Sequence, residues 1–378
     1  MKINNWTRAL LATGVVGMGA VAQAEEAPAS QVLTAVSGTQ LSGYVSTTAS
    51  WAPNVMAPAG VSFLPAQPDG FTLDVVDISI SKPLDEGEWA AGYNVELWAG
   101  PNAGALGNTL GAGGTGGNLA IKQANVQLNA PIGNGLVFTM GVFDTIIGYE
   151  VANGPDNPNY TRSYGFTTEP FQHLGLLASY QITEDASLSV GVADNNSTSL
   201  AANAGANRSA KTYMAALNVT APESLGPLAG SSITAGVVDG RAVTAAAGPD
   251  LTQFYLGGTI PTPIENVTLG VAWDHMNIDG ATDSDSIAAY VGYGLSENAS
   301  LNLRLDYLDQ GDAGGAAALG GEFLGTTLTL DYALWENVLT RGEWRYDKNL
   351  DGSAAAGARN NNHLFALNVV YQFRSEER

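Results

Sequence analysis

The connections of this chain alternate in kind, and that constrains its fold more than any other feature. Segments with a two-residue period recur at roughly 40–51, 71–82, 88–99, 119–130, 136–145, 172–183, 187–194, 210–220, 231–239, 251–260, 266–276, 285–295, 299–309, 323–334, 338–347 and 363–373. One set of connections between them is tight: 84–88, 131–135, 183–186, 261–265, 295–298 and 335–337. The interleaved set is long and rich in Gly, Ala, Asn and Asp: 52–70, 100–118, 146–171, 195–209, 240–250, 277–284, 310–322 and 348–362. Residues 221–230 lengthen one tight connection. Short turns on one side and long loops on the other predict an all-β, antiparallel transmembrane barrel of about 16 strands, with periplasmic turns and extracellular loops. A soluble sandwich has no reason to sort its loops by parity.

The strand faces point the same way. Leu301, Leu303, Leu305 and Tyr307 alternate with Asn302, Arg304 and Asp306. Val338, Thr340, Gly342, Trp344 and Tyr346 alternate with Leu339, Arg341, Glu343, Arg345 and Asp347. A strand puts successive side chains on opposite faces, so each has one lipid-type face and one charged face. The competing reading is an antiparallel sheet with one wet face, but a soluble core does not carry four charges on one strand face. Aromatics near strand ends (Trp89, Phe138, Tyr180, Trp273, Tyr293, Tyr332, Trp335, Trp344) suit interfacial girdles. Asp74 and Asp77 fit one register only with a bulge between them. The turns Glu184-Asp185, Glu265-Asn266, Glu297-Asn298 and Glu336-Asn337 repeat an acid followed by Asn or Asp, chemistry that tolerates positive φ.

Beyond the N-terminus no apolar run reaches the roughly 20 residues a spanning helix needs. A membrane chain without one must close a barrel to satisfy its backbone. The 46 glycines among 378 residues argue against helices, where each costs about 1 kcal/mol. The absence of cysteine is a weak signal. The net charge of -21 excludes a nucleic-acid role built on phosphate neutralisation. It argues mildly for a lumen that prefers cations, although a soluble acidic surface accounts for it equally well. Residues 1–24 read as a signal peptide: a basic start with Lys2 and Arg8, an apolar stretch from Ala9 to Val21, and the Ala22-Gln-Ala24 cleavage pattern. The expected organisation is then a tail at 25–38, the barrel at 39–373 and a short tail at 374–378.

The connection 146–171 is the longest, and long connections without regular structure are functional or disordered. Its aromatics Tyr149, Tyr160, Tyr164, Phe166 and Phe171 favour a folded segment. Parity turns Gly141, Gly175, Gly191, Gly236, Gly270, Gly292 and Gly294 inward, leaving room for this loop against the wall. Late strands turn Arg304, Asp306, Asp331, Arg341, Glu343 and Arg345 inward, and Asn94 and Glu96 face in as well. The expectation is a constriction in which Glu150, Asp156 and Glu169 of the loop, with Arg162 among them, face the Arg304, Arg341 and Arg345 wall across water. The competing arrangement pairs the wall charges with one another as wetted pairs worth little each.

The block Gly141-Val-Phe-Asp144, Gly148-Tyr-Glu150, Asn157, Tyr160-Thr-Arg-Ser163, Glu169-Pro-Phe171, Gly175 and Tyr180 resembles the centre of the OmpL-like β-barrel porin family of Gram-negative bacteria. The match covers about 40 residues, and elsewhere the layout alone agrees. The last strand, Phe365 to Phe373, resembles the C-terminal insertion signal of outer-membrane barrels, although Arg374 to Arg378 follow its aromatic. The resemblance implies a passive channel in the outer membrane for small hydrophilic solutes or ions, with membrane lipid as its surround. Porins of this strand number are often trimers, and that analogy points to a homotrimer. The alternative from another class is a surface adhesin or structural barrel with a plugged lumen.

Other motifs carry little. Asp347-Lys-Asn-Leu-Asp-Gly352 matches half a calcium loop, but Ala358 stands where the closing Glu belongs. Asp279, Asp283 and Asp285 form a second acidic loop. Gly111-Ala-Gly-Gly-Thr-Gly116 has the spacing of a nucleotide loop without a following helix. His173, His275 and His363 have no metal spacing, and no nucleophile–base pair stands out. No enzyme, cofactor, metal or nucleic-acid partner is expected.

Overall fold

The computed structural model describes residues 38–53, 69–106, 118–194, 211–241, 249–280, 282–311, 321–351 and 360–375. The leader, most of the N-terminal tail, the Gly111–Gly116 stretch, the later half of the calcium-like loop and the last three residues lie outside them.

Sixteen strands follow in chain order. They are β1 (Gln40–Trp51), β2 (Gly70–Lys82), β3 (Ala90–Ala99), β4 (Leu119–Ala130), β5 (Leu136–Asp144), β6 (Gln172–Thr183), β7 (Ala186–Ala193) and β8 (Thr212–Thr220). Then come β9 (Ser232–Arg241), β10 (Asp250–Pro261), β11 (Val267–Ile278), β12 (Thr282–Gly294), β13 (Ala299–Gln310), β14 (Gly321–Trp335), β15 (Val338–Asn349) and β16 (Asn361–Arg374). Each pairs with its sequence neighbours, and β1 pairs antiparallel with β16, so the sheet closes into a barrel. The period-two segments of the sequence are these strands, shifted at their ends by a few residues.

The register carries the alternation around the whole cylinder. Arg304 lies opposite Tyr290 and Thr327, Thr327 opposite Arg345, and Arg345 opposite Leu364. These inward positions are buried, while Leu305, Leu328, Phe365 and Leu367 on the opposite face are exposed. A shift of one residue in any pair would turn the charges into lipid, so the two-sided pattern pins the register. The expected bulge is present: β1 pairs Ser46 with Val75 and then Thr47 with Leu73, leaving Asp74 over. Asp74 turns inward and accepts hydrogen bonds from the hydroxyls of Ser46 (2.7 Å) and Thr48 (2.6 Å). At the tight turns Asn266 and Asn337 adopt φ of 62° and 64°, the left-handed conformation an Asn side chain tolerates.

The apolar core lies inside the cylinder. One cluster joins Phe143, Ile146, Ile147, Leu177, Met214, Val238, Tyr255 and Tyr290. A second joins Tyr44, Val75, Trp98, Phe166 and Val370 with Ala103 and Leu106 of a 3-10 turn, Pro101–Leu106, in the second long loop. Both clusters form because the third long loop folds into the lumen.

Candidate functional site

The segment between β5 and β6 crosses the barrel. Ile147 packs against Gly236 on β9, and the Tyr149 ring lies against Gly270 on β11 and stacks on Tyr290 of β12 with centroids 4.2 Å apart. Any side chain at Gly270 would occupy the space of that ring. Gly236 and Gly270 therefore seat the loop, as parity implies, whereas Gly141, Gly175 and Gly191 lie against neighbouring strands and Gly294 against the Asn266 turn.

From there the chain reaches the charged wall. Arg304 of β13 donates to Glu150 Oε1 (2.8 Å), to the carbonyls of Thr161 (2.6 Å) and Arg162 (3.0 Å), and to Asp306 (3.2 Å). Arg341 of β15 donates to the carbonyls of Gly154 (2.7 Å), Pro155 (3.2 Å) and Asn157 (2.6 Å), and to Asp331 (3.1 Å). Arg345 donates to the Arg162 carbonyl (2.5 Å) and to Asp347 (2.8 Å), and its guanidinium lies over the Tyr164 ring. Glu343 accepts the backbone N–H groups of Tyr160 (2.7 Å) and Thr161 (3.0 Å). The Tyr164 N–H donates to Asp306 (3.1 Å) and its hydroxyl to Asp347 (2.7 Å). Wall cations thus take loop carbonyls, and wall carboxylates take loop N–H groups. Irregular backbone held inside a barrel needs such partners, because buried polar groups without them are costly.

The expected transverse field across water is corrected by this geometry. Glu150 does not face Arg304 across a gap; the two are bonded, at 1% and 0% side-chain exposure. Arg304, Asp306, Glu343 and Arg345 are buried under the loop rather than bathed by solvent. The competing arrangement holds in its pairing, since Arg304 bonds Asp306, and fails in its wetness, since that pair is dry. Arg162 turns back into its own loop and braces it, donating to the carbonyls of Val151 (2.9 Å), Tyr160 (2.8 Å) and Ala152 (3.0 Å). Glu169 is buried against Asp274 of β11 and faces no arginine of the wall. Asp156 ends a 3-10 turn, Gly154–Asp156, on the half-buried edge of the loop. Burial pushes its carboxyl above the ordinary range, and the Arg341 charge pulls the other way. Asp347, the first position of the calcium-like motif, is bonded to Arg345 and Tyr164 and is not free for a metal. Asp283 accepts from Asn277, and Asp285 accepts from Trp273 (3.2 Å), so the second acidic loop also has protein partners.

The structure adds a second charged group, centred on Lys122, of which the sequence marked Glu96 as inward but not the lysine. On β2 to β5, Lys122 bonds Asp144 and lies 3.9 Å from Glu96. Trp98 donates to Asp77 at 2.8 Å, and Asn153 of the loop donates to Glu96 at 3.1 Å. Tyr160 reaches Asp74 at 3.0 Å. A lysine in the middle of an otherwise uncharged strand was the available signal. At the level of the loop, Lys122, Arg162, Arg304, Arg341 and Arg345 are all 2% exposed or less. The carboxylates Asp144 and Asp331 keep 28% and 15% side-chain exposure, and Asp156 is half-buried.

A closed sixteen-stranded antiparallel barrel with an inward-folded third long loop is an architecture of outer-membrane porins. The chain belongs to the family described as "Putative beta-barrel porin-2, OmpL-like", which it matches over residues 38–373. Its fold is similar to that of the anion-selective porin from Comamonas acidovorans, with a TM-score of 0.59 at 13% identity over 89% of this chain and 99% of that one. The outer membrane channel DcaP of Acinetobacter baumannii is similar at a TM-score of 0.59 and 14% identity, covering 89% and 97%. The trimer form of OmpT from Vibrio cholerae is similar at a TM-score of 0.56 and 14% identity, covering 89% and 99%. At these identities the likeness concerns the fold. No curated protein matches the sequence. Family and fold together make the chain a porin-type channel of the outer membrane.

Proposed function

We propose that the chain is a passive diffusion channel for small hydrophilic solutes, narrowed by residues 146–171 and favouring cations. One observation carries the charge preference: at the level of the loop the basic groups are buried and bonded, whereas the partly exposed charged groups are Asp144, Asp156 and Asp331. A permeating ion next to low-dielectric walls responds to the charges that remain unmatched. The anchoring arginines then act as fasteners of the constriction rather than as its filter. Asp331 shares its charge with Arg341 and Asp144 shares its charge with Lys122, which leaves Asp156 as the main contributor.

The test is the reversal potential of the purified protein in planar bilayers under a salt gradient. A potential of the sign set by cation flow supports the reading, and one set by anion flow overturns the preference while leaving the channel intact. The second reading, a plugged barrel that presents its loops to partners, is favoured by the two apolar clusters that the loop completes on opposite walls. Liposome swelling with sugars of graded size separates the two, since a plugged barrel gives no swelling at any size. Assembly as a homotrimer is carried over by analogy with the OmpT trimer form. Native mass measurement in detergent checks it.

A further inference from the structure

The foot of the loop holds two carboxyl groups that the clamp on the charged wall does not use. Glu169 lies three residues before β6 and is buried. It meets Asp274 of β11, which is 4% exposed, within hydrogen-bond reach. Two glycines of the loop make room for the pair. A methyl group at Gly148 would overlap the Glu169 carboxyl, and one at Gly165 would overlap Asp274 and come within 2.8 Å of Ser286 Oγ.

The surroundings supply no positive charge. Ser286 donates to Asp274 Oδ2 at 3.2 Å, while Asp274 Oδ1 is buried without a hydrogen-bond donor. Among the described residues no lysine, arginine or histidine forms an ion pair with either carboxyl. The titratable groups facing the pair are Glu150 from the start of the loop, Tyr149 beside it, and Tyr255 on β10. Glu150 is already matched by Arg304. The amide of Gln253 on β10 donates to the Thr168 carbonyl next door. Two carboxylates in contact in a dry pocket do not both ionise; one keeps its proton and donates it to the other.

We propose that Glu169 and Asp274 share one proton, and that this proton latches the foot of the loop to β11. The reading rests on residues 146–171 being the constriction. A shared proton gives the orphaned Asp274 Oδ1 a donor and removes the repulsion at the same time. When the proton leaves to water, two negative charges stand together against Glu150 with no cation between them, and the foot lifts. Burial, and after it the Asp274 charge, pushes the Glu169 carboxyl well above its ordinary range. The sign follows from linkage. A raised carboxyl contributes to docking fully below the ordinary carboxylate range, and that contribution is lost as pH rises through the raised value. The channel is therefore narrow in acid and wider as the medium becomes alkaline.

The chain has no cysteine, so a single Thr168→Cys probe reports on the foot alone. Maleimide labelling of folded full-length protein in detergent is compared at each pH between the otherwise native background and one that also carries Glu169→Gln. The amide stays neutral and can still donate to Asp274, and the ratio of the two rates cancels the intrinsic pH dependence of the thiol. Asp274→Asn serves as an independent second variant, and heat-modifiable gel migration confirms that every variant is folded. One shared proton predicts that the native-to-variant ratio rises by up to about tenfold per pH unit above the raised value and is flat below it. A ratio that is flat throughout overturns the latch, as does wild-type pH dependence of conductance in both neutral variants. Protection at alkaline pH that returns with added calcium alone overturns the shared proton and assigns the pair to a metal. If labelling follows pH but no form conducts at any pH, the latch stands and the channel reading falls. If the protein conducts and labelling ignores pH, the channel reading stands and the latch falls.

Discussion

Glu150 and Arg304 lie 154 positions apart in the chain and 2.8 Å apart in the fold. The same guanidinium also holds the carbonyls of Thr161 and Arg162, so one wall residue grips both the outgoing and the returning arm of the loop. A bonded ion pair this dry is costly to break from one side, because the partner left behind is a buried charge without compensation.

Arg304→Ala should therefore release the loop rather than merely retune the pore. The expected loss is about 3–5 kcal/mol of docking free energy, read as a lower thermal midpoint of the non-barrel transition together with larger, noisier single-channel currents. Unchanged currents and an unchanged midpoint would sink the clamp.

Gly270→Leu fills the seat of the Tyr149 ring without touching a charge. Overpacking of this kind costs about 1–3 kcal/mol, and here the flexible partner is the loop, not the strand. The variant should insert and migrate as a barrel, conduct more than the native protein, and lose the stacking of Tyr149 on Tyr290. A conductance equal to that of the native protein would show that the loop does not limit flow.

Replacing Asp144, Asp156 and Asp331 together by Asn leaves the shape of the lumen nearly constant and removes three carboxylates. The reversal potential in a salt gradient should move toward zero. Replacing Asp309 and Glu322 instead, which lie on the outward face, should leave it where it was.

Acid should weaken the preference earlier than ordinary carboxylates would predict. Burial raises the Asp156 carboxyl, so its negative charge disappears on descending pH before an exposed aspartate would lose its own. A titration of reversal potential should show a step above the usual aspartate range. Asp156→Asn should remove that step, and its persistence in the variant would assign it to another group.

The barrel was legible in the chain because lipid and water enforce a strict alternation, and Leu303, Arg304 and Leu305 state it in three letters. The bulge at Asp74 was legible as well, because two acids could not otherwise share a face. The seats at Gly236 and Gly270 followed from parity alone. What could not be read was distance across the lumen. Nothing in the spacing of Glu150 and Arg304 says whether water or a hydrogen bond separates them; in the fold it is a hydrogen bond. The contact depends on how far a loop of this length reaches across the cylinder, a three-dimensional quantity with no periodic signature. Asp274 sits on β11 beside His275, which points to the other face. Its inward parity was available, but its carboxyl partner on the loop was not.

Asn368 of β16 donates to Ser46 (2.9 Å) and Thr48 (3.0 Å) of β1 and to Asp74 (3.1 Å) of β2, and Tyr160 donates to the same carboxylate of Asp74. The seam that closes the cylinder and the loop that fills it thus meet at one aspartate. Joining β1 to β16 brings together residues about 320 positions apart, which makes it the step with the largest loop entropy to overcome. The bulge that turns Asp74 inward gives that late step a checkpoint. A cylinder that closes without its loop leaves Asp74 without the Tyr160 hydroxyl, and a loop that folds before closure finds Asp74 without Asn368. The wall and the constriction thus share one hydrogen-bonded aspartate as a common point of completion.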